Sequence, residues 1–66
     1  MMEHIGKRIL EYRKAIGMSQ ETLSLKSGVC RPLISSLENG KRKDVLVSTL
    51  SAIAEALGTT VNIFLE

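Results

Sequence analysis

Four side chains in the middle of the chain could contact the edges of DNA bases. They share the outward face of one short helical pattern, and they are Arg31, Pro32, Ser35 and Ser36. An arginine can donate two hydrogen bonds to O6 and N7 of a guanine, whereas a serine hydroxyl can contact bases or phosphates with little specificity of its own. Pro32 and its neighbour Leu33 could touch the methyl group of a thymine. Because this face has no Asn or Gln to read adenine, we expect part of the specificity to come from DNA shape.

The helix that carries this face is predicted from about Arg31 to Glu38. Ile34 and Leu37 face inward at a helical spacing. Cys30 occupies the N-cap, where serine or threonine is more usual. Gly40 is expected to end the helix, because the chain needs a positive φ there.

A second short helix precedes it across a tight turn. Ser19 is a favourable N-cap for this helix, which should end near Ser27. Gly28 can adopt the positive φ of the corner, and the small Ser24 lets the two helices approach. The Ser24 hydroxyl is expected to bond a backbone carbonyl of the preceding turn. Together these features predict a helix-turn-helix over residues 19–39.

Two further helices should pack behind this unit. The first is predicted from about His4 to Ile16 and the fourth from about Val47 to Leu57. Their apolar faces follow helical spacing; they are Ile5, Ile9, Tyr12 and Ile16 in the first helix and Leu50, Ile53, Ala54 and Leu57 in the fourth.

The segment 59–66 predicts a β-strand. Val61, Ile63 and Leu65 alternate with other residues, and a period of two is typical of a strand. Since the sequence offers no second strand candidate, the expected partner is the same strand in another copy of the chain. In that homodimer the three alternating residues would pack on the fourth helix, with Phe64 on the opposite face of the strand.

Composition sets limits on the possible functions. The chain has 66 residues, a net charge of +2 and 3% aromatic residues, so one small aliphatic core is expected, and a second copy would help to stabilise it. That charge is too small to indicate nucleic-acid binding by itself. The single cysteine favours a reducing cytoplasm, and neither a secretion signal nor a membrane span is expected.

Residues for other chemistry are sparse. His4 is the only histidine and has no second ligand nearby in the sequence, so we expect no metal site. The spacing supports no serine–histidine–acid set and no glycine-rich phosphate loop, so we expect no cofactor and no enzymatic activity. Cys30 stands at a helix N-terminus beside Arg31, which leaves a redox switch as an alternative to a reduced substitute for serine.

The stretches MSQETLSLKSGV and ISSLENGKR resemble the Xre class of DNA-binding regulators, the Cro and lambda-repressor type. The resemblance runs from about Ile5 to Gly58, and its most specific part is Leu37 to Lys41. It implies an all-α domain of four helices. The family commonly adds a fifth short helix, and the last eight residues of this chain depart from that version. The additional C-terminal strand resembles that of the Hip-type antitoxins, in which a strand is shared across a dimer.

The resemblance also implies a structural pair and two groups of phosphate contacts. Arg13 would pair beneath the surface with Glu38, the alternative being an exposed Arg13. Gln20, just inside the second helix, would bond a phosphate with help from the helix N-terminus. A second phosphate clamp would comprise Asn39, Lys41, Arg42 and Lys43, the alternative being a solvated basic loop.

These expectations define a function. The chain should be a homodimeric transcriptional regulator, most simply a repressor, that reads a pseudo-palindromic double-stranded DNA operator with its third helix. One alternative is an antitoxin that neutralises a partner toxin by binding it and regulates its own operon. Another is a controller of a restriction–modification operon.

Overall fold

The computed structural model describes residues 4–65, which form five helices and no strand. The helices are α1 (Ile5–Ala15), α2 (Gln20–Ser27), α3 (Arg31–Glu38), α4 (Val47–Ala56) and α5 (Asn62–Leu65). The first four confirm the predicted all-α arrangement, with ends that differ by one residue at most. No helix in residues 4–65 is long and apolar enough to cross a membrane.

The core is aliphatic apart from one aromatic ring. Its buried side chains are Ile5, Ile9, Leu23, Val29, Ile34, Leu37, Leu50, Ile53, Ala54, Leu57 and Phe64. The inward face predicted for the fourth helix is confirmed completely. Burial of these side chains is the main contribution to the stability of so small a domain.

Ile16 does not face the core, and the sequence prediction for it is wrong. The helix ends at Ala15, so Ile16 lies beyond the last helical residue and is 51% exposed. Gly17 has a φ of 71° and turns the chain toward Met18, whose N–H group donates to the carbonyl of Arg13. The helix therefore ends one residue before the last apolar residue of the sequence pattern.

The prediction of a C-terminal strand is also wrong. After α4 the chain turns at Gly58, and the N–H group of Thr59 donates to the carbonyl of Ala54, as in a Schellman motif. The N–H group of Phe64 then bonds the carbonyl of Val61. Residues 62–65 form the short helix α5, in which the N–H group of Ile63 likewise bonds the carbonyl of Thr60.

Phe64 explains why a helical turn replaces the strand. Its side chain is only 2% exposed and packs on Tyr12 of α1, with 5.6 Å between ring centroids and an interplanar angle of 66°. Arg8 donates from Nη1 to the carbonyl of Ile63 at 2.9 Å, which further ties α5 to α1. Burying the largest apolar side chain of the segment outweighs the alternation of the smaller ones.

This packing changes the dimerisation residues predicted from the strand. Phe64 was expected to face outward and is instead in the core. Val61 and Ile63 are half-buried against the core of their own chain, and only Leu65, at 44%, remains exposed. Pairing of two copies through a shared strand is therefore excluded for this conformation.

Candidate nucleic-acid interface

The turn between α2 and α3 sets the position of the candidate base-reading helix. The Ser19 hydroxyl caps α2 by accepting from the N–H group of Thr22 at 3.0 Å. Gly28 has a φ of 77°, and its N–H group donates to the carbonyl of Ser24. The Ser24 hydroxyl donates forward to the carbonyl of Val29 at 2.6 Å, across the corner. The sequence predicted a bond to the preceding turn of the helix; in the structure this hydroxyl ties α2 to the corner that follows it instead.

The first turn of α3 presents its side chains to solvent. Arg31 and Pro32 are both exposed. Cys30 is the N-cap and has an exposed thiol that makes no capping hydrogen bond. Its carbonyl accepts from the N–H group of Leu33 at 3.1 Å, which starts the helix.

The rest of the outward face is partly covered. Ser35 and Ser36 are half-buried, while Ile34 and Leu37 on the other side of α3 lie in the core. Leu33 is half-buried and packs against that core, so less of its side chain is available at the surface than that of Pro32. The fully exposed part of α3 is therefore its first turn, and the two serines continue the same face with partial exposure.

Arg13 and Glu38 form a two-pronged ion pair between α1 and the end of α3. Arg13 donates from Nε to Oε2 and from Nη2 to Oε1 of Glu38, both at 2.8 Å. The side chains are 11% and 5% exposed, so the pair lies beneath the surface. The hydrogen bond to Glu38 raises the pKa of the Arg13 guanidinium above its ordinary value, although burial acts in the opposite direction.

The remaining Arg13 nitrogen joins the pair to the start of α2. Nη1 donates to the carbonyl of Met18 at 2.8 Å. All three guanidinium nitrogens therefore have partners, and a single side chain ties α1, the loop before α2 and the end of α3 together. Such parallel hydrogen bonds to a carboxylate are stronger than those between neutral groups.

Gln20 extends this network toward the surface. Its Nε2 donates to Oε1 of Glu38 at 2.8 Å, and its Oε1 accepts from Nε of Arg31 at 3.4 Å. Sequence reasoning assigned Gln20 to a phosphate and missed both contacts. No spacing signal relates positions 13, 20, 31 and 38, because the four residues come from three helices that meet only in the folded chain.

The predicted second phosphate clamp follows α3 as an exposed basic turn. Its members Asn39, Lys41, Arg42 and Lys43 are all exposed. The Asn39 side chain accepts from the N–H group of Lys41 at 3.0 Å, and the N–H group of Arg42 donates to the carbonyl of Ser36. These bonds hold the turn close to α3. Arg42 Nε and Asp44 Oδ1 are 3.9 Å apart and both side chains are highly exposed, so their electrostatic attraction is weak.

The described residues offer no other cluster of reactive groups. Between positions 4 and 65, no three His, Cys, Asp or Glu side chains lie close enough to share a metal ion, and no pocket forms. The functional candidates are therefore on an open polar surface that comprises the start of α2, the outward face of α3 and the basic turn.

Comparisons with known sequences point to one family. A sequence profile described as "Helix-turn-helix" matches residues 9–64. Control protein C.SmaI of Serratia marcescens is 39% identical over 59 residues, which cover 89% of this chain and 69% of C.SmaI. The HTH-type transcriptional regulator SinR of Bacillus subtilis is 32% identical over 62 residues, which cover 94% of this chain and 56% of SinR. The chain therefore spans little more than half the length of SinR.

Solved structures show the same fold. The crystal structure of SinR, the master regulator for biofilm formation, in complex with DNA has a TM-score of 0.90 and 32% identity, covering 94% of this chain and 98% of that one. The restriction–modification controller protein C.AhdI from Aeromonas hydrophila has a TM-score of 0.87 and 33% identity, covering 96% of this chain and 94% of that one. The similarity thus extends well beyond the helix-turn-helix.

Proposed function

Because the chain belongs to the helix-turn-helix family, in the Xre/Cro-like class of DNA-binding transcriptional regulators, we propose that it is a dimeric repressor that binds double-stranded DNA in the cytoplasm. Helix α3 enters the major groove. The observation that carries this proposal is the exposed start of α3, where Arg31 and Pro32 project from a helix whose other face is buried. Similarity to SinR, whose structure is of a complex with DNA, supports the same docking surface.

The side chains divide into readers of bases and holders of phosphates. Arg31 bonds O6 and N7 of a guanine, Pro32 contacts a thymine methyl, and Ser35 and Ser36 add polar contacts. The phosphates are held by Gln20 at the start of α2 and by the basic turn, comprising Asn39, Lys41, Arg42 and Lys43. Because the basic turn directly follows α3, its contacts would fix the depth of the helix in the groove.

Two copies bind together in this proposal. The support is the apolar surface that one chain leaves uncovered at the start of α4, where Leu46 is 72% and Val47 63% exposed. Burying such side chains against a second copy contributes about 25 cal/mol per Å² of apolar surface. A two-fold dimer would present two α3 helices about 34 Å apart, one turn of DNA, to the halves of a pseudo-palindromic operator.

Sedimentation tests the dimer. Changing Leu46 and Val47 together to Glu should give a monomer, because the dimer interface would then have to bury the glutamate carboxylates of both copies. Leu25→Glu is the matched control, since Leu25 is 79% exposed on α2 and is not part of the proposed interface. A double variant that still dimerises like the wild type would show that the interface lies elsewhere.

Selection of bound sequences from a random DNA pool tests the whole function. We expect a two-fold related sequence with half-sites separated by about one helical turn and a guanine in each half. Repression is then measured with that sequence placed over a promoter. Recovery of sequences with no shared pattern would contradict specific recognition, and activation of the promoter would contradict repression.

Similarity to C.SmaI and C.AhdI favours a second candidate. Those proteins are described as a control protein and a restriction–modification controller. If the chain has that function, the selected operator would lie upstream of genes for a methyltransferase and an endonuclease. Binding of the protein there would control when these genes are expressed. The DNA chemistry is the same in both candidates, so the position of the operator in the genome separates them.

The antitoxin alternative loses its main support. The likeness to Hip-type antitoxins depended on a C-terminal strand shared between two chains, and residues 62–65 form α5 instead. No contact within residues 4–65 favours a toxin partner, and the proposed function does not include one.

A further inference from the structure

Asn39 is followed directly by Gly40 at the end of α3, and both residues are exposed. The backbone nitrogen of the next residue attacks an asparagine side chain most easily when that residue is glycine, because no Cβ atom stands in the way. We propose that Asn39 is a site of spontaneous deamidation, and that this reaction converts the basic turn from a surface that binds phosphates into one that repels them. The effect on DNA rests on the proposed function, whereas the reaction itself does not.

The reaction needs only this dipeptide and water. The backbone nitrogen of Gly40 loses its proton and attacks Cγ of Asn39, so that a C–N bond forms and closes a cyclic imide. The bond between Cγ and Nδ2 breaks, and the amide group takes up a proton and leaves as ammonia. Water then opens the imide at either carbonyl, which gives aspartate or isoaspartate at position 39.

Three hydrogen bonds hold the dipeptide in an unreactive conformation. The N–H group of Asn39 donates to the carbonyl of Ser35 at 3.0 Å, and that of Gly40 donates to the carbonyl of Leu37 at 3.3 Å. Oδ1 of Asn39 accepts from the N–H group of Lys41 at 3.0 Å. The ψ of Asn39 is 4°, and the chain must rotate about this bond before the Gly40 nitrogen can reach Cγ. Deamidation therefore requires the turn to open.

The opening involves few bonds, and these lie at the surface. The bond from Gly40 to Leu37 is long, and the bond from Lys41 to Asn39 joins exposed groups. Exposed segments open locally at a much lower free energy than the whole domain. Leu37 is the last buried residue of α3, so the rotation at Asn39 leaves the core in place. We therefore expect the folded protein to react, but more slowly than an unstructured peptide.

Neighbouring cations favour the reaction once the turn is open. Lys41, Arg42 and Lys43 follow the dipeptide and are all exposed. The attacking nitrogen becomes negative when it loses its proton, and negative charge develops on Oδ1 of Asn39 during the attack. Positive charge nearby stabilises both. The side chains that would hold phosphates thus also promote loss of the Asn39 amide.

Deamidation changes the basic turn in two ways. A new carboxylate lowers the net charge of the chain by one from +2 and places a negative group where a phosphate would bind. Isoaspartate also lengthens the main chain before Gly40 by a carbon atom, which displaces the Arg42 N–H group from the Ser36 carbonyl that it bonds. DNA on the turn would keep it closed, so the free protein would lose affinity while the bound protein retains it.

Peptide mapping by mass spectrometry tests the site. The protein is incubated at mildly alkaline pH, and each asparagine is followed for the mass increase that replacement of NH₂ by OH causes. Asn62 is the internal control, because it is the only other asparagine and precedes the β-branched Ile63. A turn that is open about one tenth of the time would make the folded protein about tenfold slower than a synthetic peptide of residues 36–43. Protein bound to its operator should be slower still.

Two results of this measurement would overturn the proposal. If Asn39 reacts no faster than Asn62 in the free protein, position 39 is not a deamidation site. If Asn39 reacts equally fast with and without the operator, DNA does not protect the turn.

Asn39→Asp tests the consequence for DNA binding. This variant reproduces the aspartate product and should weaken binding to the operator and to unrelated DNA alike, by about tenfold. The slope of log affinity against log salt should fall by about 0.9 if one phosphate is no longer held. Asn62→Asp is the matched control, because it makes the same charge change on α5, outside the basic turn, and should affect binding far less. Equal effects of the two variants would overturn the role assigned to the turn.

The two measurements distinguish failure of this proposal from failure of the proposed function. A protein that deamidates at Asn39 but selects no DNA sequence would contradict the proposed function, and with it the effect of the reaction on DNA. A protein that binds its operator, but whose Asn39 is as stable as Asn62, would overturn the deamidation site alone.

Discussion

Gly6 of α1 packs directly against the backbone carbonyl group of Leu37 in α3. A Cβ atom at Gly6 would overlap the carbonyl oxygen and carbon of Leu37. Because these atoms belong to a helix backbone, they cannot move aside without displacing α3. The missing side chain at Gly6 therefore sets the separation of the two helices and lets Arg13 of α1 reach Glu38 at the end of α3.

Gly6→Ala should lower the free energy of unfolding. In an open helix this change would stabilise the chain by about 0.5–1 kcal/mol. Here the overlap with backbone should outweigh that gain, and we expect a net loss of about 3 kcal/mol, toward the upper end for overpacked cores. Urea denaturation, monitored by circular dichroism, measures this change in the free energy of unfolding.

Gly17→Ala is the control for this substitution. Gly17 has a φ of 71°, but no atom beyond its own and those of its two chain neighbours lies within 4 Å of the place where its Cβ would stand. The expected loss is about 1–2 kcal/mol from backbone strain alone. If Gly17→Ala proves as costly as Gly6→Ala, the close approach of α1 and α3 is not the cause.

Breaking the buried ion pair should cost more than breaking an exposed one. Arg13→Met and Glu38→Gln should each lower the free energy of unfolding by about 3–5 kcal/mol, because each leaves a buried partner without its counter-charge or its full set of hydrogen bonds. Asp44→Asn, which disrupts the exposed pair with Arg42, should change it by about 0.5 kcal/mol or less. Thermal unfolding of the three variants gives the comparison, and melting of either buried variant within a degree or two of wild type would mean that the pair is energetically superficial.

Truncating Phe64 should show that α5 is part of the core. Phe64→Ala should cost about 3–5 kcal/mol, because it leaves a cavity beside Tyr12. Leu65→Ala should cost far less, since Leu65 is 44% exposed. Tyr12 is the only tyrosine, so its fluorescence reports directly on the packing of the two rings. A larger loss of stability for Leu65→Ala than for Phe64→Ala would indicate a paired strand rather than α5.

Lys43→Ala should weaken DNA binding without changing its sequence preference. Lys43 lies in the exposed basic turn, and a phosphate contact carries no sequence information. The slope of log affinity against log salt should fall by about 0.9 for each phosphate that the variant no longer neutralises. Titrations of the operator and of unrelated DNA at several salt concentrations provide the test, with Lys26→Ala on α2 as a control cation. A Lys43→Ala effect confined to the operator would assign this residue to base recognition.

Cys30→Ser should stabilise the chain and keep DNA binding. The thiol makes no cap bond, whereas a serine hydroxyl at the N-cap can accept from the N–H group of Leu33. Pro32 has no N–H group, so Leu33 is the donor available to that cap. We expect a gain of about 0.5–1 kcal/mol. Loss of operator binding in this variant, or sharp sensitivity of the wild type to mild oxidant, would instead support a redox role for Cys30.

Some residues could be placed from the sequence because local rules determine them. Gly28 needs a positive φ, Ser19 needs an unbonded N–H group to cap, and Leu37 repeats an apolar spacing within one helix. Each of these requirements involves only a few neighbouring positions. The four main helices and the exposed start of α3 followed from them.

Other features depend on contacts between distant positions. Gly6 is constrained by a carbonyl group 31 positions later in the chain. The sequence around Gly6 contains no pattern that predicts this constraint. Gln20 gains its amide orientation from Glu38 on another helix. Phe64 is predicted to face outward because a short alternating pattern fits a strand, while the contact with Tyr12 of α1 exists only in the folded chain.

The Phe64–Tyr12 contact joins α5 to α1, so it can form only late in the synthesis of the protein. A nascent chain releases α1 to α4 first, and their helix-turn-helix can begin to form while residues 62–65 are still inside the ribosome. Until those residues emerge, the ring of Tyr12 has no aromatic neighbour and Arg8 has no Ile63 carbonyl to bind. The fifth helix to be synthesised thus completes the packing of the first.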